Sequence, residues 1–397
     1  MDDQPRIAVV GGGIGGLAAA GFLHLAGVAS TVYEQASQLT EVGAGIVVAP
    51  NAARLLRRLG VMDGFLPSAV RLEVGWEFRR WEDGTVLSAE DLTERCAALY
   101  GEEMYTVHRA DILDAVRSAV PEASIRLGKK CVRIDDPDGR PRLSFSDGST
   151  ETADLVIGAD GIHSIARGVV ADVARATYSG LCAFRGLVPA DRAPAFARRS
   201  TQTLWIGPDH HLVHYPVSAG RYVNLVAFAP DSDDAIESWS ATATVEEFLA
   251  EFEGWDQRVT DLISAAGTPG RWALMDRPPL QRWTRGRVTL LGDAAHAMYP
   301  FFAQGAAQAI EDAAVMARCI ADGLGDVDGA LDRYEAHRIQ RANRLQEVSR
   351  ARAHVNHLPD GREQRERDAS FAHADPLESS GWIYAYDPAI ALADEQT

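Results

Sequence analysis

The sequence predicts an α/β protein in which a Rossmann-like dinucleotide-binding domain is interleaved with a β-sheet domain and followed by a C-terminal helical segment. Three observations carry that reading. The chain opens on an apolar strand that breaks into a glycine-rich turn and a helix. Two more apolar strands, far along the chain, run into Asp-Gly or Gly-Asp pairs followed by helices. Between them lie alternating stretches that carry tryptophan and phenylalanine, as a separate sheet would.

In the opening stretch Arg6 to Glu34, the run Ile7-Ala8-Val9-Val10 suits a buried parallel strand and stops at Gly11. Leu17, Ala20, Leu23 and Leu25 follow in an alanine-rich setting that favours helix, and Val28 to Glu34 reads as a second strand ending on an acid. Gly11-x-Gly13-x-x-Gly16 matches the dinucleotide fingerprint. Gly11 permits the tight turn, Gly13 lets backbone approach a pyrophosphate, and Gly16 lets helix and strand pack closely. The phosphates would lie at a helix N-terminus, where unpaired N–H groups favour negative charge. Glu34, about 20 residues after the first glycine, can accept hydrogen bonds from ribose hydroxyls. This unit alone fits FAD or NAD(P) equally, and a glycine-rich turn that binds nothing is the bland alternative.

With 397 residues, 46% of them hydrophobic, the chain is long enough for two interleaved domains. Its net charge of −17 argues against nucleic acid and anionic membranes as partners. Cys96, Cys131, Cys182 and Cys319 show no CxxC spacing and read as reduced, buried thiols of a cytoplasmic protein. The apolar start is too short for a membrane span, and Asp2 and Asp3 stand where a signal peptide carries basic residues. No HExxH or clustered His/Cys spacing calls for a metal.

After Glu34, Gly43-Ala44-Gly45 gives either a close backbone approach to a flat ligand or an ordinary flexible connection. Asn51 is placed to cap a helix over Ala52 to Leu59, with Gly60 as its stop. Leu72 to Leu87 alternates around an Asp83-Gly84 hairpin turn and carries Trp76, Phe78 and Trp81. Arg109 stands just before a helix, Ile112 to Val120, where it serves an anion or simply the surface. Short strands follow at Val132 to Ile134, Leu143 to Phe145 and Asp154 to Ile157; the last runs into Asp160-Gly161. Val288 to Leu291 repeats the event with Gly292-Asp293, and Gln304-Gly305 opens a helix over Ala306 to Ala321. Ala330 to Val355 reads as a docked polar helix, Asp360 to Asp375 as a charged, mobile loop, and Trp382, Tyr384 and Tyr386 as an alternating C-terminal anchor.

Three motifs in order, Gly11-x-Gly13-x-x-Gly16, GADGIHSIAR around Asp160-Gly161, and LLGDAAHAMYPFFAQGAAQAIEDA around Gly292-Asp293, resemble the single-component FAD-dependent aromatic hydroxylases typified by para-hydroxybenzoate hydroxylase. The VGAGI loop, HRADI, AFRG at Ala183 to Gly186, the stretch Trp205 to Pro216 and a late Gly381 to Asp387 are most similar to the branch of salicylate hydroxylase, 3-hydroxybenzoate 6-hydroxylase and 6-hydroxynicotinate 3-monooxygenase. The chain departs from that branch at Val47 and Phe301, where relatives carry histidine.

The resemblance implies bound FAD, transient NADH or NADPH, and O₂. It implies that Asp293 binds ribityl or ribose hydroxyls, that Arg109 holds the FAD phosphate region, and that Asp160 and Gly161 support FAD and the handling of nicotinamide. The implied reaction is hydroxylation of a small aromatic, a phenol or hydroxy-(hetero)aryl carboxylate, through a flavin C4a-hydroperoxide, with or without decarboxylation; the flavin carries the hard chemistry. The helix beginning near Gly305 and Ala306 can face the anionic reduced flavin with its N–H groups. A base near the phenol would help, and histidine suits that role. His210, His211 and His214 are the candidates; on one strand, His210 and His214 share a face and His211 shares the other with Val213 and Tyr215. The resemblance favours His211 and Tyr215, with His210 and His214 as the rival pair and surface histidines as the bland reading. Arg185 can meet a substrate carboxylate, while Pro300, Phe301 and Phe302 can wall the ring cavity.

The expected division is a FAD-binding domain over residues 1–71, 100–178 and 279–350, a substrate domain over 72–99 and 179–278, and a C-terminal extension over 351–397, in a monomer or homodimer. Two alternatives remain: a flavin epoxidase or oxidative tailoring enzyme of a larger natural product, and a non-catalytic FAD-binding escort protein.

Overall fold

The structure, a computed structural model, describes residues 5–39, 44–171, 176–231 and 242–393. Its first sheet has six strands in the order Thr284–Arg285, Val288–Leu290, Leu155–Gly158, Ile7–Val10, Ser30–Tyr33 and Ile125–Arg126. All neighbours run parallel except the edge hairpin of Thr284–Arg285 with Val288–Leu290. Ile7–Val10 is buried at every residue, as a central strand covered on both faces must be. The helices Ile14–Leu25 and Gly305–Asp322 supply much of the cover, and their alanines and leucines join the strand residues in one large core. Because Ile7–Val10, Leu155–Gly158 and Val288–Leu290 are parallel neighbours, their C-terminal ends share one edge. Gly11, Asp160-Gly161 and Gly292-Asp293 therefore meet there despite their separation in sequence.

The second sheet has seven strands in the order Gly270–Asp276, Thr177–Pro189, Tyr222–Pro230, His210–Val217, Thr201–Gly207, Val74–Arg80 and Val86–Asp91. One face packs Phe184, Trp205 and Leu212 against Phe248, Phe252 and Leu262 of the helices Val245–Glu251 and Gln257–Ser264. The opposite face looks toward the first sheet. A three-stranded antiparallel sheet, Gly45–Val48 with Tyr105–His108 and Val70–Arg71, joins the two regions. No helix of the described residues is long and apolar enough to cross a membrane.

Several local expectations need correction. Asn51 is not a cap: the helix runs Pro50–Arg58 with Ala49 at its N-cap, because proline takes the first turn readily. The Asn51 amide is instead buried and donates to Gln304 Oε1 at 3.0 Å and Glu311 Oε1 at 2.7 Å. His210, His211 and His214 do lie on one strand, His210–Val217, which pairs with Thr201–Gly207 through a turn at Pro208-Asp209, where Asp209 has φ +57°. Arg109 is the first residue of the helix Arg109–Arg117, not a residue before it. Asp360 to Asp375 is not a loop. It contains the helix Arg362–Phe371, whose Arg367 donates to Val355 O at 2.9 Å and whose Gln364 is buried. The C-terminal aromatics do anchor the chain, though on the short helix Gly381–Tyr384 rather than on a strand. Arg54 donates to Tyr386 O at 2.8 Å and Arg341 to Trp382 O at 2.8 Å.

Candidate active site

A cavity of about 1150 Å³ runs from the glycine turn at the edge of the first sheet to the inner face of the second. That exceeds the roughly 300–1,000 Å³ of a single small-ligand pocket, so it has room for a dinucleotide and a ring. At one end the fingerprint glycines do distinct jobs. A Cβ on Gly16 would stand 2.0 Å from Gly11 O, so Gly16 serves helix–strand packing and does not face the cavity. Gly11 has φ +109°, and its Cβ would stand 2.3 Å from Ala159 O. Gly13 is open: nothing lies within 4 Å of where its Cβ would be, which leaves the helix N-terminus bare for a phosphate. Glu34 lines the same end and accepts from Gly12 N at 2.6 Å and Ala36 N at 2.7 Å.

Arg109 and Asp293 stand farther along. Burial lowers the Arg109 guanidinium's pKa, and the Asp293 carboxylate acts against that. Asp293 is exposed to the cavity, while the backbone that presents it is fixed from below: Gly292 N donates to Asp312 Oδ2 at 3.0 Å. Asp312 also pairs with His296 Nε2 at 2.6 Å and with buried Arg338 at 2.7 Å, so His296 orders this loop. Arg338 further holds Glu311 at 2.6 Å, and Arg341 holds the same carboxylate at 2.7 Å. Asp160 lines the cavity, yet its carboxylate accepts from Ser164 Oγ, from Ile165 N at 2.6 Å and from Ala166 N at 3.2 Å. It shapes the turn at Gly161, which has φ +74°, and takes the first two N–H groups of the helix Ile165–Val170, whose N-cap is Ser164. Gly305 and Ala306 line the cavity at the start of their helix, and nothing lies within 4 Å of a Cβ on Gly305.

The far end is built on the strand His210–Val217. His211, Val213 and Tyr215 line the cavity, and His210 and His214 do not. The period of the strand thus turns the rival pair away from the cavity. His210 turns to Glu251 at 3.3 Å and packs edge-on against Phe252. His214 is fully buried beside Phe196, with its pKa pushed down to about 3 by burial. His211 stacks on Phe228 directly across the strand pair, ring centroids 4.5 Å apart, and meets Phe301 edge-on at 5.0 Å. Its Nδ1 lies 2.5 Å from Nε2 of His357. Burial, then His357 and Arg352, hold the His211 pKa well below 6.5, and burial lowers His357 to about 4. Both rings are therefore neutral near pH 7, and one hydrogen lies between them.

Tyr215 is buried and its hydroxyl's pKa is raised by that burial, with Arg185 opposing. The ring also explains Gly45, whose Cβ would stand 2.5 Å from Tyr215 Cε2; Gly45 N donates to Asn224 Oδ1 at 2.7 Å. The other candidate glycine of that loop, Gly43, lies outside the described residues. Arg185 lines the cavity with its guanidinium 4.5 Å from the Trp272 ring, and burial lowers its pKa to about 10. Pro300 and Phe301 wall the ring end; Phe302 does not, and faces a second cavity instead. Sequence reasoning missed His357, Asn224, Phe228 and Trp272, none of which belongs to a local motif.

A model of the FAD binding domain family matches residues 5–349. The chain belongs to that family. This flavoprotein is an FAD-dependent aromatic monooxygenase by kinship as well as by its cavity. It is 42% identical over 392 residues, 98% of each chain, to the 3-amino-4-hydroxybenzoate 2-monooxygenase PtmB3 of Streptomyces platensis. It is 37% identical to the 6-hydroxynicotinate 3-monooxygenase of Bordetella bronchiseptica, over 88% of this chain and 91% of that one. The flavoprotein's fold matches a salicylate hydroxylase substrate complex with TM-score 0.83 and 29% identity, covering 98% and 97% of the two chains. It matches Klebsiella pneumoniae HpxO complexed with FAD and uric acid with TM-score 0.85 and 27% identity, over 96% of each. The open Gly13 and Gly305 backbones and the Arg109–Asp293 pair fit FAD in the cavity.

Proposed function

We propose that this flavoprotein hydroxylates a small hydroxyaryl carboxylate with NADH or NADPH and O₂, and that His211 is the base for the substrate hydroxyl. The observation that carries the reading is the His211–His357 contact of 2.5 Å inside an aromatic wall. The relatives named above act, by name, on 3-amino-4-hydroxybenzoate, 6-hydroxynicotinate and salicylate, which are all hydroxy-substituted aromatic acids. FAD, when bound, supplies oxygen activation. Gly11, Gly13, Glu34, Arg109, Asp160, Gly161, Gly292 and Asp293 would hold it, with Gly16 packing the turn and Gly45, Gly305 and Ala306 lining the cavity where a flavin would be received. Residues 1–71, 100–178 and 279–350 form its domain, and 72–99 with 179–278 the substrate domain.

The rest is work for side chains. His211 Nε2 takes the phenol proton while its Nδ1–H passes to His357 Nε2, and His357, only partly buried, releases a proton to water. The pair thus moves charge outward without leaving a cation in the wall. Tyr215 orients the substrate hydroxyl, Arg185 meets the carboxylate, and Pro300 and Phe301 exclude water. A panel of hydroxybenzoates and aminohydroxybenzoates tests the reading. At least one member should stimulate NAD(P)H oxidation and gain one oxygen atom by mass spectrometry; no stimulation by any member favours a larger natural-product substrate.

A further inference from the structure

Behind the ring end lies a second cavity of about 190 Å³, and Trp76 forms part of both walls. Its content is unusual. The Arg352 guanidinium stands among four of the lining rings, 5.0 Å from Phe78, 5.5 Å from Phe302, 5.7 Å from Phe371 and 5.8 Å from Trp76. Among the described residues no carboxylate pairs with it, and its Nε is buried without a hydrogen-bond partner. Three earlier arginines of the same helix, Val327–Asn356, do have acids: Arg338 and Arg341 hold Glu311, and Arg350 holds Asp276 at 2.8 Å, whereas Arg333 donates to Cys319 O and Arg344 stacks on Trp382. Arg352 lacks one, and burial depresses its pKa to about 10.

A guanidinium taken from water without an anion is costly, and cation–π contact, roughly 0.5–2 kcal/mol, offsets only part of that. The missing partner is an anion. The shape of the cavity limits which one. Faces of Phe78, Phe371 and Trp382 line it, together with serines 88, 379 and 380. A water occupies about 30 Å³, so the space equals roughly six waters or one monocyclic aromatic acid, and it is too small for a dinucleotide.

The partition has its own signature. Trp76 lies in a bulge of Val74–Arg80, where pairing with both neighbouring strands slips, and has φ +43°. A bulky residue in that region costs on the order of 1–3 kcal/mol and persists where its surroundings hold it; bulges re-aim side chains. Trp76 Nε1 is held by Tyr384 Oη at 3.1 Å. The strained residue sets the indole between the two spaces.

We propose that this second cavity is a carboxylate subsite of the enzyme: it takes one monocyclic aromatic acid, the carboxylate on Arg352 and the ring among Phe78, Phe371 and Trp382, beside the ring end of the main cavity. The identity of its ligand rests on the reading that the substrate is an aromatic acid. Calorimetric titration of the FAD-loaded enzyme with benzoate tests it. Two equivalents are expected, with benzamide losing the second, and Arg352→Gln should retain FAD while weakening the second equivalent at least tenfold. One equivalent that perturbs the flavin absorbance and survives in the variant, or a second one unchanged in the variant, overturns the proposal. Flavin absorbance separates the two sites, because only a ring beside the flavin perturbs it. Binding without any spectral change, but lost in Arg352→Gln, supports this subsite and counts against the proposed substrate site. Should Arg352→Gln not fold, a crystal of the unmodified enzyme soaked with 4-bromobenzoate is expected to show bromine between Phe371 and Trp382. No bromine there, or bromine at crystal concentration only with no calorimetric second equivalent, also overturns it.

Discussion

His211 is a histidine in an aromatic wall, and its environment decides what kind of base it can be. A depressed pKa means the ring stays neutral, so protonation of His211 removes the base only far below pH 6.5. The kcat/KM profile should therefore show no acid limb between pH 6 and 7; a limb near 6.5 there, absent from His211→Phe, would contradict the assignment. Removing the base by His211→Phe should slow hydroxylation by roughly 10²-fold or more with FAD retained, and His357→Phe, which leaves the base but not its relay, by about 10-fold. Asp293→Ala should give largely colourless protein; full FAD occupancy, read from the absorbance ratio, would count against that residue. A period of two splits the histidines into two faces, but only the family resemblance favours the face of His211 and Tyr215, which is the face that lines the cavity. His357 was not legible. It lies 146 residues from its partner and ends a helix whose pattern says only that it docks.

At the scale of elements, the first βαβ unit was readable because glycines, apolar runs and a terminal acid each act locally. The helix Arg362–Phe371 was not, since its charges suggest solvent until Val355 O and the Arg352 cluster give one side a surface to meet. The strand Val86–Asp91 carries a further surprise in Glu90, buried at 3% exposure with no hydrogen-bond partner for either oxygen among the described residues. Burial, then Asp375, raises its pKa from 4.5 to about 7. The folded state therefore holds this proton more tightly than the unfolded chain. Stability is full below about pH 4.5, falls as pH rises toward 7, and stays lower above it. Glu90→Gln removes the penalty, so urea midpoints should favour the variant at pH 8 by up to about 3 kcal/mol and hardly at all at pH 4.5. An equal difference at both pH values would sink the idea.

Across the whole molecule, two cores sit on either side of the main cavity, one around the parallel sheet and one behind the antiparallel sheet. A third cluster, with Val47, Tyr215, Leu345 and Tyr384, draws on both regions and on the C-terminal segment. The presence of two sheets could be read from strand patterns, but not the order in which distant strands pair, because burial does not name a neighbour. A cofactor that contacts several of these parts stabilises them together: at a hundredfold excess over its Kd, FAD should add about 2.7 kcal/mol. Calorimetry should show a higher unfolding temperature for the holo form than for the apo form, and coincident transitions would deny that linkage.

The His211–His357 contact also sets an order of events during synthesis. The glycine turn and its first two strands emerge early and can begin to fold as a unit. The proton relay cannot exist until the end of the 30-residue helix Val327–Asn356 has left the ribosome and reached the strand made long before it. A nascent or interrupted chain can thus gather much of its cofactor cradle while lacking the His357 partner of His211, so the proposed proton transfer waits for nearly complete translation.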